Sequence, residues 1–498
     1  MSTTSSLGTV GKNAFYYTIG SVVSRAASLI LLPIYTRYLT PADYGVMELI
    51  GIAVDVAAIL FVAGMNSGMQ RFFFAEESAA ARDRVVSTTF WLEVGLGFVA
   101  AAVLFAAAPL APIIGLRKPE HVGFIHIAAA TFFFGVLSSV PMLLLQTLNR
   151  ARTFVVVSIA KLVAQISLHL YFLVHLQLGV IGVLYTGLIV NLVLGIVLAL
   201  WMARTVGVAV SRSDVSRLRA FGVPYQITVA GSFILVFGDR FVLGSMTTTA
   251  QVGLYGLAYQ FGFLLSSLTE VPFMRAWNPI RYSLVREDAP VRDAAYNDGL
   301  RAISVLLTVI SVGVILFSPL VLTLMAAPEF HEAARLVPVI AAAYVVQCYT
   351  TVVLFGIDVS TQTKYYTIAT WSAAAVSMVL YVLLIPPFGG TGAAWATLVA
   401  FLVRFSITYY HSQSLWPIRY EWASTIRAGG IILVVAAAQL SYPATSALGE
   451  LAFGLVGFNA SGAALWFLAL RHSERARVKA FLLRVVSGRE PRWPVRAS

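Results

Sequence analysis

Charged side chains are scarce in this 498-residue sequence, at 11% of residues against 59% hydrophobic. That balance excludes an ordinary soluble domain, in which about a quarter of residues are charged. Cysteine is scarcer still. Cys348 stands alone inside an apolar run, which rules out an intramolecular disulfide and any cysteine-based metal site. The seven histidines are scattered without a partner at ligand spacing, and there is no G-x-S-x-G elbow, P-loop, HExxH or paired-cysteine motif. The chain therefore reads as a non-enzyme without a cofactor. Lacking an ATP site, any transport it performs would draw on a proton or Na⁺ gradient, or on consumption of the product. The acids, 22 against 34 lysines and arginines, leave a net charge of +12. In a soluble protein this excess would suggest nucleic acid. Here the basic residues sit in loops, as orientation signals do, and no nucleic-acid partner is expected.

What is abundant is apolar sequence in runs of about 20 residues, the length of a membrane-crossing helix. A transmembrane β-barrel would show strict alternation over about ten residues, and these runs are unbroken and twice as long. The fold class is an all-α polytopic membrane protein of about fourteen spans, lying between residues 14 and 470. Arg71, Arg82, Arg84, Arg150, Arg152 and the arginines between 204 and 219 and between 275 and 292 fall on one side, against Arg117 and Lys118 on the other. Both termini are thus expected in the cytoplasm. The N-terminal MSTTSSLGTVGKN reads as an uncleaved start. In the tail, Val478, Phe481, Leu482 and Val485 oppose Arg475, Arg477, Lys479 and Arg484, the pattern of a basic amphipathic helix on an anionic leaflet or of a plain solvated anchor.

Two stretches 210 residues apart match: Leu170 to Leu188 and Leu380 to Leu398. Leu170, Tyr171, Leu173, Gly179, Gly182 and Leu188 recur as Leu380, Tyr381, Leu383, Gly389, Gly392 and Leu398. A weaker match aligns TRYLTPADYG (Thr36 to Gly45) with DRFVLGSMTTTAQVG (Asp239 to Gly253), pairing Arg37 with Arg240 and Gly45 with Gly253. The chain then divides into a six-helix bundle (1–203), a linker (204–219), a second six-helix bundle (220–411), two extra helices (424–470) and the tail (471–498). Six is even, so the halves insert in parallel. Parallel repeats of this kind belong to alternating-access transporters with the substrate between halves.

Several polar residues stand out within the spans. Thr18, Ser21, Arg25 and Ser28 form one stripe on the first helix, with a mid-span guanidinium that costs about 2.5 to 3.5 kcal/mol to insert. Asp55 lies at similar depth on the second helix. Either the two pair, or Arg25 meets an anionic substrate while Asp55 exchanges a proton or Na⁺. Tyr225, Thr228, Ser232 and Asp239 line up on the seventh helix, the counterpart of the first. Asp239 and Arg240 adjoin, as a local pair or a substrate contact, and Asp239 is a further candidate for ion coupling. Glu93, Lys161 and Arg404 are embedded; snorkelling accounts for the two bases, and Glu93 suits a helix-helix hydrogen bond or ion coupling. Tyr255 and Tyr259 either stack on sugar or pack.

The segments YTRYLTPADYGVMELI, DRFVLGSMTTTAQVGLYGLAYQF and IPPFGGTGAAWATL resemble the bacterial polysaccharide-export flippases, the O-antigen and capsule repeat-unit translocases of the multidrug/oligosaccharidyl-lipid/polysaccharide (MOP) exporter superfamily, over Gly11 to Leu470. The resemblance implies an inverted-V pair of bundles around a cationic cavity. It implies an undecaprenyl-diphosphate-linked oligosaccharide moved from the inner to the outer leaflet of the cytoplasmic (inner) membrane. Polysaccharide polymerase and chain-length machinery would be partners besides the lipids. Arg25 would bind the diphosphate, with Arg240 and Arg404 as further candidates, and the two extra helices would offer a groove for the polyprenyl tail. A lipid II-type flippase or a cation-coupled multidrug antiporter of the same superfamily is the alternative. A membrane glycan polymerase or ligase would need large extracytoplasmic loops, which this sequence does not show.

Overall fold

The computed structural model describes residues 31–442, 446–469 and Arg475. Residues 31–38 form α1. It is followed by α2 (Pro41–Phe61), α3 (Met65–Ala75), α4 (Ala79–Ala107), α5 (Glu120–Thr147), α6 (Ala151–His169), α7 (Val180–Val206), α8 (Arg212–Met246) and α9 (Thr249–Leu268). Then come α10 (Glu270–Ser283), α11 (Ala289–Met325), α12 (Val337–Val353), α13 (Phe355–Val359), α14 (Lys364–Leu415), α15 (Trp422–Ser441) and α16 (Ala447–Ala464). No strand occurs among the described residues.

Eleven helical stretches among the described residues are long and apolar enough to cross a membrane. One is α14, whose 52 residues would measure about 78 Å at the helical rise, more than twice the roughly 30 Å hydrocarbon layer. Gly389, at φ 54° and ψ −134°, breaks it, so this stretch makes two crossings. α9 has the length of a span but is diluted by Gln251 and Gln260. Large apolar side chains such as Phe98, Val163, Val197 and Leu383 point outward, a surface that only lipid tolerates over such an extent. The chain is an all-α, multi-pass membrane protein. The first of the expected spans lies mostly outside the described residues, as do Thr18, Ser21, Arg25 and Ser28. The tail helix does too, save Arg475, whose guanidinium donates to the Phe467 carbonyl at 2.8 Å.

Pro41–Gly45, PADYG, has the composition of a turn but forms the first turn of α2. Thr40 caps it. Its hydroxyl accepts from the Asp43 amide at 3.2 Å while the Asp43 carboxylate accepts from the Thr40 amide at 3.0 Å, and Pro41 at the first position loses no hydrogen bond. α3 is amphipathic and buries Met65, Met69 and Phe73.

The chain forms two compact units. One takes the chain up to Leu257 with Met325–Ala333 and Thr367–Arg404. Within it α5 packs along α7 and α4, and Met69, Phe73, Phe90, Val140, Leu144 and Met202 form a core. The other takes Ala258–Leu324, Ala334–Tyr366 and Phe405 onward, with a core of Met274, Trp277, Tyr296, Phe355 and Ile418. There Glu270 accepts from Thr351 at 2.7 Å and from Ser266 at 2.9 Å, and Arg301 pairs with Asp298 and with Glu421.

The repeat is visible in the backbone. Gly179, at φ 61° and ψ −140°, adopts the same conformation as Gly389 210 residues later, in a region of backbone space that essentially only glycine occupies. The weaker repeat is visible in packing. A Cβ on Gly45 would lie 1.8 Å from the Thr249 carbonyl oxygen, and one on Gly253 would lie 2.0 Å from that of Pro41. The first turns of α2 and α9 thus cross backbone against backbone, and the two aligned glycines face each other as residues on a local two-fold axis do.

Gly253→Ala is expected to force those turns apart and lower stability by about 1–3 kcal/mol, the usual range for overpacking. Gly51→Ala, on the same helix as Gly45 with nothing within 4 Å of its Cβ, should be neutral. Melting temperatures of the detergent-solubilised variants test the contrast; equal melting for both would remove the backbone crossing.

Candidate functional site

Two polar clusters lie inside the first unit. The first joins α2, α8, α9 and α14. Arg240 on α8 is only 1% exposed, and its guanidinium reaches Asp239 at 3.2 Å and Glu48 of α2 at 3.5 Å. The Arg240 amide donates to Asp239 Oδ1 at 2.8 Å. The other Asp239 oxygen accepts from the Tyr255 hydroxyl at 2.7 Å, and Thr397 links Tyr255 (3.5 Å) to Tyr381 (3.0 Å). Phe237 and Tyr255 present ring faces to the guanidinium at 5.2 and 5.6 Å. A buried charge pair of this kind gains little by its mere presence. It is expensive to break, about 3–5 kcal/mol, because the remaining partner is left charged in a low dielectric. The cluster is a clamp of α2 to α8 near the C-terminal end of α8.

The repeat accounts for its geometry. Glu48 follows Gly45 by three residues as Gly256 follows Gly253, and a Cβ on Gly256 would meet the Glu48 carboxyl carbon at 2.8 Å. One half supplies the acid and the other the vacancy that admits it. Arg240 is buried, whereas its repeat counterpart Arg37 is exposed. At the opposite end of α8, Asp214 is buried between Arg84 (3.1 Å) and Arg217 (3.3 Å), and Arg217 also reaches Glu76 at 2.9 Å.

The second cluster lies among α3 to α7. Glu93 on α4 is fully buried, and the Ser139 hydroxyl on α5 sits beside its carboxyl while accepting from the Asn66 amide of α3 at 2.9 Å. On α6, Lys161 is half-buried and reaches the Asn191 amide oxygen of α7 at 3.5 Å. No carboxylate among the described residues pairs with it.

The remaining expected site residues fall as follows. Asp55 is exposed on α2, and Arg404 is buried on α14. Thr228 meets Thr367 at 3.3 Å, and the Ser232 hydroxyl donates to the Thr228 carbonyl. The Tyr225 side chain is outside the description. Tyr255 and Tyr259, expected to line a cavity, are fully buried. The first is held by Asp239, and the second packs edge-on against Tyr344 at 5.7 Å. Arg240, expected to grip a diphosphate, has two carboxylates answering it. Sequence reasoning places Glu48 on one face of the second helix with Asp55 and Asn66 but does not pair it with Arg240, and it does not single out Gly256, Ser139 or Asn191; the repeat alignment carries the signal for Gly256, while nothing local marks the last two. Between α2, α8 and α14, Val56, Leu60, Phe233, Phe241 and Met378 line a wholly apolar cavity of ≈280 Å³.

Residues 34–335, which contain both clusters except their α14 members, match a family described as polysaccharide biosynthesis protein. The chain belongs to that family. Among solved structures, the lipid II flippase MurJ in an inward closed conformation superposes on this chain with TM-score 0.72 at 13% identity, covering 90% of this chain and 98% of that one. An inward-facing multidrug resistance MATE family transporter of the MOP superfamily gives 0.63 at 16% identity, covering 78% and 94%. A MOP superfamily transporter from Pyrococcus furiosus gives 0.55 at 17%, covering 82% and 95%. At these identities the likeness is one of fold, and the fold is that of MOP-superfamily transporters. No curated protein sequence matches the chain at a significant level.

Arg240→Ala in this family member is expected to cost about 3–5 kcal/mol of stability by stranding Asp239. Adding Asp239→Asn should recover part of that loss, a coupling read from a double-mutant cycle of thermal unfolding. Strictly additive losses would dissolve the clamp.

Proposed function

We propose that this protein is a flippase that moves a polyprenyl-diphosphate-linked oligosaccharide from the inner to the outer leaflet of the cytoplasmic membrane by alternating access. The observation that carries the reading is the conjunction, in one chain, of membership in the polysaccharide biosynthesis protein family with the fold of MOP-superfamily transporters. A protein of that family with a transporter's architecture has its natural substrate in a saccharide that must change sides of a membrane. In the bacterial cell such a saccharide travels on a lipid carrier.

The chemistry of the embedded charges agrees. A diphosphate crossing the hydrocarbon layer needs cations that are not already answered by carboxylates. Arg25 on the first span offers a planar fork suited to phosphate oxygens. Lys161 offers a second positive charge, which among the described residues pairs with no carboxylate and reaches the Asn191 amide oxygen. Arg240 is engaged with Asp239 and Glu48, so under this reading its part is to hold α2 against α8 and not to touch phosphate. The apolar cavity between α2, α8 and α14 suits a length of polyprenyl chain.

Arg25→Ala is expected to abolish flipping of a fluorescent polyprenyl-diphosphate oligosaccharide in proteoliposomes while leaving the protein inserted. Arg25→Lys should retain part of the rate, because charge survives and the fork does not. Lys161→Gln should lower the rate about tenfold, the equivalent of one charge-assisted hydrogen bond. Wild-type rates in both neutral variants would contradict the anion-binding reading.

A further inference from the structure

Glu93 is the midpoint of α4 (Ala79–Ala107) and 0% exposed, which places a carboxyl at the centre of a membrane-crossing helix and away from water. Neither carboxyl oxygen has a hydrogen-bond donor at bonding distance. The hydroxyl set beside the carboxyl is that of Ser139, whose oxygen already accepts from Asn66. One hydroxyl set against about four lone-pair positions cannot stabilise a bare carboxylate. The Asn66 amide oxygen is likewise buried and unpartnered. Among the described residues no charged or titratable group acts on Glu93, either from the helices packed against α4, which are α2, α3, α5, α7 and α8, or from the turn that follows α4. The site is made of acceptor oxygens on three helices, and among the described residues no cation neutralises it. Glu93 is buried, while Asn66 and Ser139 are half-buried.

We propose that Glu93, Ser139 and Asn66 form a binding site for a single monovalent cation, a proton or Na⁺, taken up and released during the transport cycle. The oxygens define the ligand: a carboxylate, an amide carbonyl and a hydroxyl are hard donors that attract a small cation and repel an anion. The arrangement also defines the coupling. Glu93 on α4, Asn66 on α3 and Ser139 on α5 converge only while these helices hold their present packing. A cation bound there therefore favours this packing over one in which the carboxyl meets water. The proposal gives the flippase reading its energy source and rests on it for purpose, but binding itself is measurable without transport.

The test uses purified full-length protein in detergent micelles. In one arm, equilibrium binding of ²²Na⁺ is measured at fixed pH. In the other, infrared difference spectra follow the C=O stretch of a protonated carboxyl as pH is raised and lowered. We expect one arm to respond: either one saturable Na⁺ site per chain, or a protonated-carboxyl band that disappears reversibly at high pH. Either signal should be lost in Glu93→Gln, which preserves shape. Ser139→Ala should shift the half-saturation point, in Na⁺ concentration or in pH, by several-fold. The absence of both signals in wild type would overturn the proposal, as would persistence of the signal in Glu93→Gln. Should Glu93→Gln fail to fold, wild-type binding in both Ser139→Ala and Asn66→Ala would overturn it equally. Glycolipid flipping that persists without cation binding would sink this site alone and leave the flippase standing. Cation binding without flipping would do the reverse.

Discussion

A charge inside a bilayer must be answered by something, and most of what is distinctive in this protein follows from how each embedded charge is answered. Arg240 is answered by Asp239 and Glu48, and the answer ties α2 to α8. Lys161 has a neutral amide for company, and Glu93 has a hydroxyl. The first is a fixture of the fold, because removing one partner strands the other at several kcal/mol. The last two are incomplete as they stand. Under the proposals made above, an anion and a cation from outside complete them.

The internal repeat explains how such a clamp arises. Duplicated halves related by a local two-fold bring equivalent residues together at the axis, and Gly45 and Gly253 meet there because only glycine lets two backbones approach so closely. Three residues further on the equivalence is broken. Glu48 stands on one side and Gly256 on the other, and the missing side chain is the space the carboxylate fills. Symmetry supplied the contact; its loss at one position supplied a directed charge interaction.

The fold was legible in the sequence because its main determinants are length and hydropathy. Unbroken apolar runs twice as long as a barrel strand leave only helices, and Gly179 with Gly389 announced a repeat that the backbone repeats angle for angle. The start of α2 is less legible, because PADYG has turn composition while the cap depends on Thr40 one residue earlier. The site was less legible. Depth marks a charge as embedded but does not say what stands opposite, and partners such as Glu48 for Arg240, or Ser139 for Glu93, come from helices separated by long stretches of chain. Tyr255 and Tyr259 show the same limit: their spacing suits a cavity wall as well as a packed interface, and only burial separates the two.

The central claim is that the substrate is an anionic glycolipid carrier. The measurement that tests it most directly is substrate choice in proteoliposomes, with a polyprenyl-diphosphate oligosaccharide and a cationic drug offered to the same preparation. Movement of the glycolipid and not of the drug is the predicted result, since uncompensated cations in the membrane select for phosphate. Movement of the drug alone would contradict the account and make the embedded acids, with Glu93 foremost, the centre of a multidrug antiporter.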